Sequence, residues 1–278
     1  MSSHEDSQGD FGEDFDFESI DQEVVAHETL ERYSGSRIED FQPYLILTNF
    51  PRYVEYFTET HECKITSGSM FTVAHCKKEG ISMLDFKIGS PAAALVVDLC
   101  AFLTQVQAVL LLGMCGGLRP DYQLGEYFVP MASIRGDATS DFYFPPEVPA
   151  LANFTVQKVV TNVLDEQKAA YHIGITHTTN KRFWEFNPEF RNRLKATRPH
   201  AVEMECATLF TASYSHHLPL GALLLVSDLP FIPGGLKTKK MSEHIFGNFM
   251  PHHIETGIKI IRALKKVERL KDYRKSYR

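Results

Sequence analysis

Three carboxylates in the last third of the chain have the types and spacing that chemistry requires. Glu203 and Glu205 flank Met204 just before an apolar run, and Asp228 follows the apolar residues 222–226. Carboxylates are general acid–base groups and can also stabilise positive charge on a bound substrate. Open α/β sheets bind ligands at the carboxyl ends of their strands, and Asp228 is predicted to lie at such an end. The pattern predicts part of an active site, with a helix or turn cap as the structural alternative for Asp228.

Short apolar runs that alternate with amphipathic ones predict the elements that position these carboxylates. The predicted strands cover residues 44–48, 70–75, 82–87, 109–113, 126–131, 172–178 and 222–227. The predicted helices cover residues 92–103, 155–162, 203–215 and 254–267. Strands separated by helices predict an α/β fold with a mixed, mostly parallel central sheet.

Two glycine-bearing turns are predicted, each after a predicted strand. Gly113 and Gly116 belong to a run in which backbone N–H groups could approach an anion or a sugar, although tight packing explains the same glycines equally well. The run is neither GxGxxG nor a Walker loop, so we do not predict a dinucleotide cofactor. In the other segment, Ser90 is predicted to cap a helix that has Pro91 at its first position.

Composition sets outer limits on the protein class. The chain has 278 residues, of which 44% are hydrophobic and 23% charged, and this favours one large domain. Its five cysteines include no CxxC pair, which favours reduced thiols in the cytoplasm. The apolar tract at residues 92–115 is interrupted by Asp98, Gln105 and Gln107, so we expect no membrane span, and the first residues do not resemble a secretory signal.

Negative charge is concentrated at the amino terminus. The formal net charge is −6, and residues 1–23 contain nine acidic residues and no Lys or Arg, so the remainder is nearly neutral. We predict an acidic disordered tail at residues 1–34 and a catalytic domain at residues 35–278. The densest basic cluster is at residues 265–278 and is typical of a solvated helix end, so nucleic-acid binding is not expected.

Familiar metal and hydrolase motifs are missing from the sequence. The histidine pairs at residues 216–217 and 252–253 are adjacent, and there is no HExxH spacing, so we expect no catalytic metal. There is also no GxSxG elbow to carry a serine nucleophile.

Four motifs carry a resemblance to a known family. They are GSPAAALVVDL (89–99), LLGMCGGL (111–118), VEMECATLF (202–210) and VSDLP (226–230). In this order and spacing they resemble the purine and uridine phosphorylase superfamily. The segments at residues 32–57 and 178–186 are similar to those of the AMP nucleosidases within it. The resemblance implies a nucleoside-phosphorylase-like three-layer α/β/α fold, a homo-oligomer built as a dimer or hexamer, and no cofactor.

The resemblance also implies roles for individual residues. Glu205 would hold the ribose hydroxyls with Met204 under the sugar, while Asp228 would protonate the five-membered ring of the departing purine. An acid that works near neutrality needs a raised pKa, which burial after an apolar strand could supply. Further substrate-binding positions are then Arg52, Gly113, Gly116, Phe183, Trp184, Glu203, Lys237 and Arg135.

A departure from the superfamily bears on the nucleophile. Phosphorylases of the bacterial purine type present an arginine and a serine or threonine where this chain has Leu111 and Met114, and neither apolar side chain can hold a phosphate dianion. We therefore expect hydrolysis of AMP to adenine and ribose 5-phosphate. A purine nucleoside phosphorylase or another purine nucleosidase is one alternative, and a catalytically inactive nucleotide-binding protein is a second.

Overall fold

Strands and helices alternate along most of the chain, and the computed structural model describes residues 21–273. The helices are α1 Gln22–Ser34, α2 Pro51–His61, α3 Ser90–Cys100, α4 Phe154–Glu166, α5 Pro188–Thr197, α6 Cys206–Ser215, α7 Lys239–Asn248, α8 Met250–Leu264 and α9 Glu268–Tyr273. The strands are β1 Tyr44–Thr48, β2 Lys64–Ser67, β3 Thr72–Cys76, β4 Ile81–Asp85, β5 Ala108–Gly117, β6 Tyr127–Gly136, β7 Ala150–Leu151, β8 Tyr171–Thr179, β9 Ala201–Glu203 and β10 Leu220–Asp228. Each of the seven predicted strands and four predicted helices overlaps one of these elements, although Glu203, predicted to begin a helix, is the last residue of β9.

All of the described strands belong to one mixed sheet. Its order is β10-β6-β8-β9-β5-β1-β4-β3-β2, with β7 beside β6, and β10 also pairs with β5. That extra pairing closes β5, β10, β6, β8 and β9 into a ring. The long pairings β10–β5 and β6–β8 are parallel, as are β1–β4 and β1–β5. The sheet therefore brings the carboxyl ends of β1, β5 and β10 to one edge.

Helices cover both faces of the sheet. One apolar core lies between the sheet and α1, α3 and α6, and the other lies between the sheet and α2, α4 and α8. Strands β1, β5 and β10 are buried along their whole length, which explains their nearly continuous apolar sequences. The predicted three-layer α/β/α fold is confirmed.

The amino-terminal boundary differs from the prediction. Residues 22–34, which we assigned to the disordered tail, form α1, and Leu30 is completely buried against the core. The Asp21 side chain accepts hydrogen bonds from the backbone N–H groups of Glu23 and Val24 and so caps the helix. Acidic composition concealed the buried positions of this helix. The remainder of the predicted tail, residues 1–20, lies outside the described residues.

Two local predictions around glycine are also corrected. The run at residues 113–117 is the buried end of β5 and does not form a turn. Ser90 does not cap α3, because its hydroxyl donates to the carbonyl of Met204 at 3.0 Å and ties the start of the helix to the carboxylate segment. Within residues 21–273, no helix combines the length and apolar character needed to cross a bilayer.

Candidate active site

A cavity of about 270 Å³ opens where the carboxyl ends of several strands converge. Asn49 follows β1, Met114 and Gly116 lie near the end of β5, and Asp228 is the last residue of β10. Strands β8 and β9 close the opposite wall through Thr179 and the segment at residues 202–205. The predicted carboxylates Glu203, Glu205 and Asp228 therefore share one cavity.

A β-bulge sets the position of Asp228. The register between β10 and β5 shifts between Val226 and Asp228, so Asp228 pairs with Gly116 and both Ser227 and Asp228 line the cavity. The Ser227 hydroxyl donates to Oδ1 of Asp228 at 2.7 Å. A Cβ on Gly116 would lie 3.1 Å from Oδ2 of Asp228, so glycine leaves room for the carboxylate.

Glu203 organises the turn that begins α6. Its Oε2 accepts hydrogen bonds from the backbone N–H groups of Glu205 and Cys206, each at 2.6 Å. Its Oε1 accepts from the hydroxyls of Thr178 and Ser133. Protein donors therefore contact both oxygens of Glu203, and this carboxylate holds the backbone of Glu205 and Cys206.

Glu205 is buried, and its surroundings disfavour its negative charge. Desolvation raises its pKa to about 7, and the neighbouring charge of Glu203 contributes in the same direction. The backbone N–H of Gly89 donates to its Oε1 at 2.8 Å, and a hydrogen bond from Asn49 also favours the charged form. Glu205 thus changes its charge close to neutral pH while facing the cavity.

Lys237 places a cation beside Asp228. Its Nζ lies 3.1 Å from Oγ of Ser227 and 3.6 Å from the sulfur of Met114, and it also faces the ring of Phe50 at 5.8 Å. Burial lowers the pKa of Lys237, and the charge of Asp228 opposes that shift. Lys237 therefore lies in the cavity wall, and its ammonium group is partly desolvated.

Of the two predicted aromatic residues, the structure brings one into the cavity. Trp184 is buried, with its ring 5.7 Å from Phe190 and 6.1 Å from Phe231, and it lines the cavity. Phe183 is 68% exposed and does not line this cavity. Trp184 is thus both a packing anchor and a wall residue, whereas Phe183 faces solvent.

Arg135 lies outside the cavity. Its guanidinium donates to the carbonyls of residues 144, 145 and 148 and to the side chains of Ser140 and Asp141, at 2.6 to 3.0 Å. The side chain is 7% exposed and does not line the cavity. These contacts hold the loop after β6, so the structure does not bring Arg135 together with the other predicted site residues.

Arg52 and Gly113 also lie outside the cavity wall. Arg52 is an exposed residue of α2, with its guanidinium carbon 5.2 Å from the centre of the Phe246 ring. Gly113 lies inside β5, where an added Cβ would lie 3.1 Å from Leu224, so its small size serves strand packing. Met204 and Gly116, by contrast, line the cavity.

Sequence reasoning missed several wall residues. Asn49 and Ile88 follow β1 and β4, and the segment after β8 contributes Arg182 and Glu185. Arg182 and Glu185 lie within the motif at residues 178–186, on either side of Phe183 and Trp184. Their charges next to these two aromatic residues could have identified them as candidate site residues. Arg182 is half exposed, whereas the side chain of Glu185 is 10% exposed.

The cavity combines groups suited to glycosidic chemistry. Asp228 and Lys237 provide a carboxylate and an ammonium group beside each other, and Glu205 provides a second carboxylate that titrates near neutrality. Among residues 21–273, no group of three or more His, Cys, Asp or Glu side chains is placed to hold a metal ion. The arrangement can protonate a leaving group and stabilise positive charge on a sugar.

Comparison with known proteins gives a consistent assignment. The phosphorylase superfamily matches residues 35–265. AMP nucleosidase of Escherichia coli K12 is 26% identical over 85% of this chain, which spans 58% of the length of that relative. Uridine phosphorylase of Treponema pallidum is 24% identical over 70% of this chain and 81% of its own length.

A solved structure extends the comparison to three dimensions. The crystal structure of AMP nucleosidase from Bacteroides thetaiotaomicron is 34% identical and matches with a TM-score of 0.77, covering 89% of this chain and 99% of that chain. The family match, the shared fold and the carboxylates in the cavity agree. The chain belongs to the phosphorylase superfamily, a group of nucleoside phosphorylases and nucleosidases.

Proposed function

We propose that this protein is an AMP nucleosidase that hydrolyses the N-glycosidic bond of AMP to adenine and ribose 5-phosphate. The observation that carries the proposal is that Asp228, Glu205 and Lys237 line one cavity. Met114 also lines it, at the position where the phosphorylases of the bacterial purine type present a serine or threonine to hold phosphate. The likeness to two proteins named AMP nucleosidase supports the same substrate.

Charge development in the reaction matches these side chains. As the bond between the anomeric carbon and the base breaks, positive charge forms on the ribose and negative charge on the purine. Anionic Glu205 stabilises the sugar, while Asp228 gives its proton to the five-membered ring of the leaving adenine. Water adds to the anomeric carbon and releases one proton to the solvent, and Asp228 takes a proton back from the solvent, so that the reaction balances. Ser227, which donates to Asp228, holds that carboxyl in position.

Water is the proposed nucleophile because the wall offers phosphate few ligands. Leu111 is buried in the sheet, and Met114 presents a thioether. One observation favours phosphorolysis as a second candidate, since Lys237 Nζ lies 3.6 Å from the Met114 sulfur and supplies a cation at this place. The same ammonium group fits the 5′-phosphate that AMP carries, and Arg182 is the other cation lining the cavity in the part of the chain that the structure describes.

The test is release of free base from AMP in parallel reactions with and without inorganic phosphate. Wild-type protein is expected to give adenine and ribose 5-phosphate without added phosphate. Asp228→Asn is expected to lose at least about 100-fold in kcat, because the amide cannot deliver a proton. Thr238→Ala, which alters the cap of α7 outside the cavity, is the matched control and is expected to keep wild-type activity.

Different outcomes separate the candidates. Turnover of AMP or nucleosides that requires phosphate would assign a phosphorylase. Binding of AMP without any turnover would assign a nucleotide-binding protein. Sedimentation at micromolar concentration tests the expected homo-oligomer, which remains a prediction.

A further inference from the structure

Two buried polar atoms of cavity-lining residues have no hydrogen-bond partner among the described residues, Oδ1 of Asn49 and Oε2 of Glu185. The Glu185 side chain is 10% exposed and its Oε1 lies 3.5 Å from Nη1 of Arg182, whereas its Oε2 is buried and accepts no hydrogen bond from the described residues. An unpaired carboxylate oxygen is unfavourable in a buried place because desolvation is not compensated. Its position in the cavity wall indicates that a bound molecule supplies the missing donor.

The location of Glu185 identifies which part of a substrate it meets. Glu205 and Met204 belong to the part of the wall assigned to the sugar, and Asp228 is assigned to the five-membered ring of the base. Trp184 precedes Glu185 and its ring lies 6.1 Å from Phe231, three residues beyond Asp228. Because Trp184, Glu185 and Asp228 line one cavity, we place the six-membered ring of a base bound at Asp228 against Trp184 and Glu185.

We propose that Glu185 selects the base by accepting a hydrogen bond from the amino group at position 6 of the purine. This inference rests on the proposed function and names the specificity of that site. A 6-amino group donates to a carboxylate, whereas a 6-oxo group presents lone pairs to an acceptor that cannot donate. A site built around a particular hydrogen bond rejects the analogue that cannot make it by large factors. We expect a preference of at least about 100-fold for AMP over IMP.

The test compares AMP and IMP as competing substrates of the full chain. Glu185→Gln keeps the shape, and its amide can both accept from a 6-amino group and donate to a 6-oxo group. The ratio of kcat/KM for AMP over IMP is expected to fall at least about tenfold. Glu189→Gln is the matched control, because Glu189 is an exposed carboxylate four residues further on that does not line the cavity.

A second variant separates base recognition from an indirect effect through Arg182. Arg182→Gln removes a cation from the wall, so it is expected to lower kcat/KM for AMP and IMP by similar factors. If it reproduced the changed ratio of Glu185→Gln, Glu185 would merely position Arg182 and the proposal would be overturned. A wild-type preference for IMP, or an unchanged ratio in Glu185→Gln, would also overturn it.

Binding of the free bases distinguishes failure of this proposal from failure of the proposed function. Calorimetric titration with adenine and hypoxanthine requires no turnover. Wild-type protein is expected to bind adenine at least about tenfold more tightly, with the difference reduced in Glu185→Gln. An inactive wild type that keeps this preference would refute the nucleosidase assignment alone, while equal binding of both bases would refute the role of Glu185.

Discussion

Glu205→Gln is expected to make the protein more stable at alkaline pH while abolishing catalysis. The wild-type carboxyl is 5% exposed, and burial together with the charge of Glu203 raises its pKa from 4.5 to about 7. Gln is nearly isosteric and its amide oxygen can still accept from the N–H of Gly89. The substitution therefore removes the buried negative charge and retains the main hydrogen-bond acceptor.

The size of the effect follows from the pKa shift. Since one pKa unit corresponds to about 1.4 kcal/mol, ionised Glu205 costs the folded state about 3 kcal/mol at pH 8. The stability associated with a raised pKa is fully present below the unfolded value of 4.5 and is lost as pH rises through about 7. At pH 5 the cost is about 1 kcal/mol or less, because the folded carboxyl is then largely protonated.

The assay is urea denaturation of wild type and Glu205→Gln at pH 5 and pH 8, at one protein concentration. The variant is expected to gain up to about 3 kcal/mol in unfolding free energy at pH 8, and the gain should shrink by about 2 kcal/mol at pH 5. Loss of AMP hydrolysis in the same preparation would show that the destabilising charge serves catalysis. A variant less stable than wild type at pH 8, or a difference independent of pH, would refute the reasoning.

Three further perturbations test the site and its support. Because catalysis needs ionised Glu205, kcat/KM should fall below about pH 7, and Glu203→Gln should move this acid limb to lower pH by removing the like charge. An unmoved limb in a pH–rate profile would contradict the coupling. Arg135→Met should lower the unfolding free energy, measured by urea denaturation, by about 3 kcal/mol because it leaves carbonyls of the 144–148 loop unpaired. The KM for AMP, measured by steady-state kinetics, should stay unchanged. Met114→Ser should introduce phosphate-dependent turnover beside Lys237, detected as ribose 1,5-bisphosphate, and absence of that product would show that residue 114 does not choose the nucleophile.

The elements of the fold were largely predictable because they depend on local patterns. Strand β10 reads as a continuous apolar run, and its complete burial in the sheet is the physical cause of that pattern. The end of β5 was not predictable, because its glycines suggest a turn while pairing with β9 and β10 keeps the chain extended. Helix α1 was missed because its acidic residues face solvent and few positions, such as Leu30, are buried.

The site was only partly predictable from residue types. Asp228 and Glu205 were found because the end of an apolar strand and a carboxylate motif are visible in sequence. Arg135 and Lys237 look alike as loop cations, yet one donates five hydrogen bonds to its own loop and the other lies in the cavity wall. A sequence pattern gives the type of a side chain but not the groups to which that side chain is hydrogen-bonded in the fold.

By itself the sequence determined the layered α/β architecture and the placing of Asp228 at a strand end, because periodicity and burial are local properties of the chain. Only the tertiary structure decided that Glu203 accepts hydrogen bonds from backbone N–H groups and that the pKa of Glu205 is raised to about 7. It also decided that Oε2 of Glu185 is buried in the cavity wall with no donor among residues 21–273. These properties depend on distances between residues far apart in the chain. The sheet topology fixes those distances, and with them the desolvation and the neighbouring charges that give each carboxylate its chemistry.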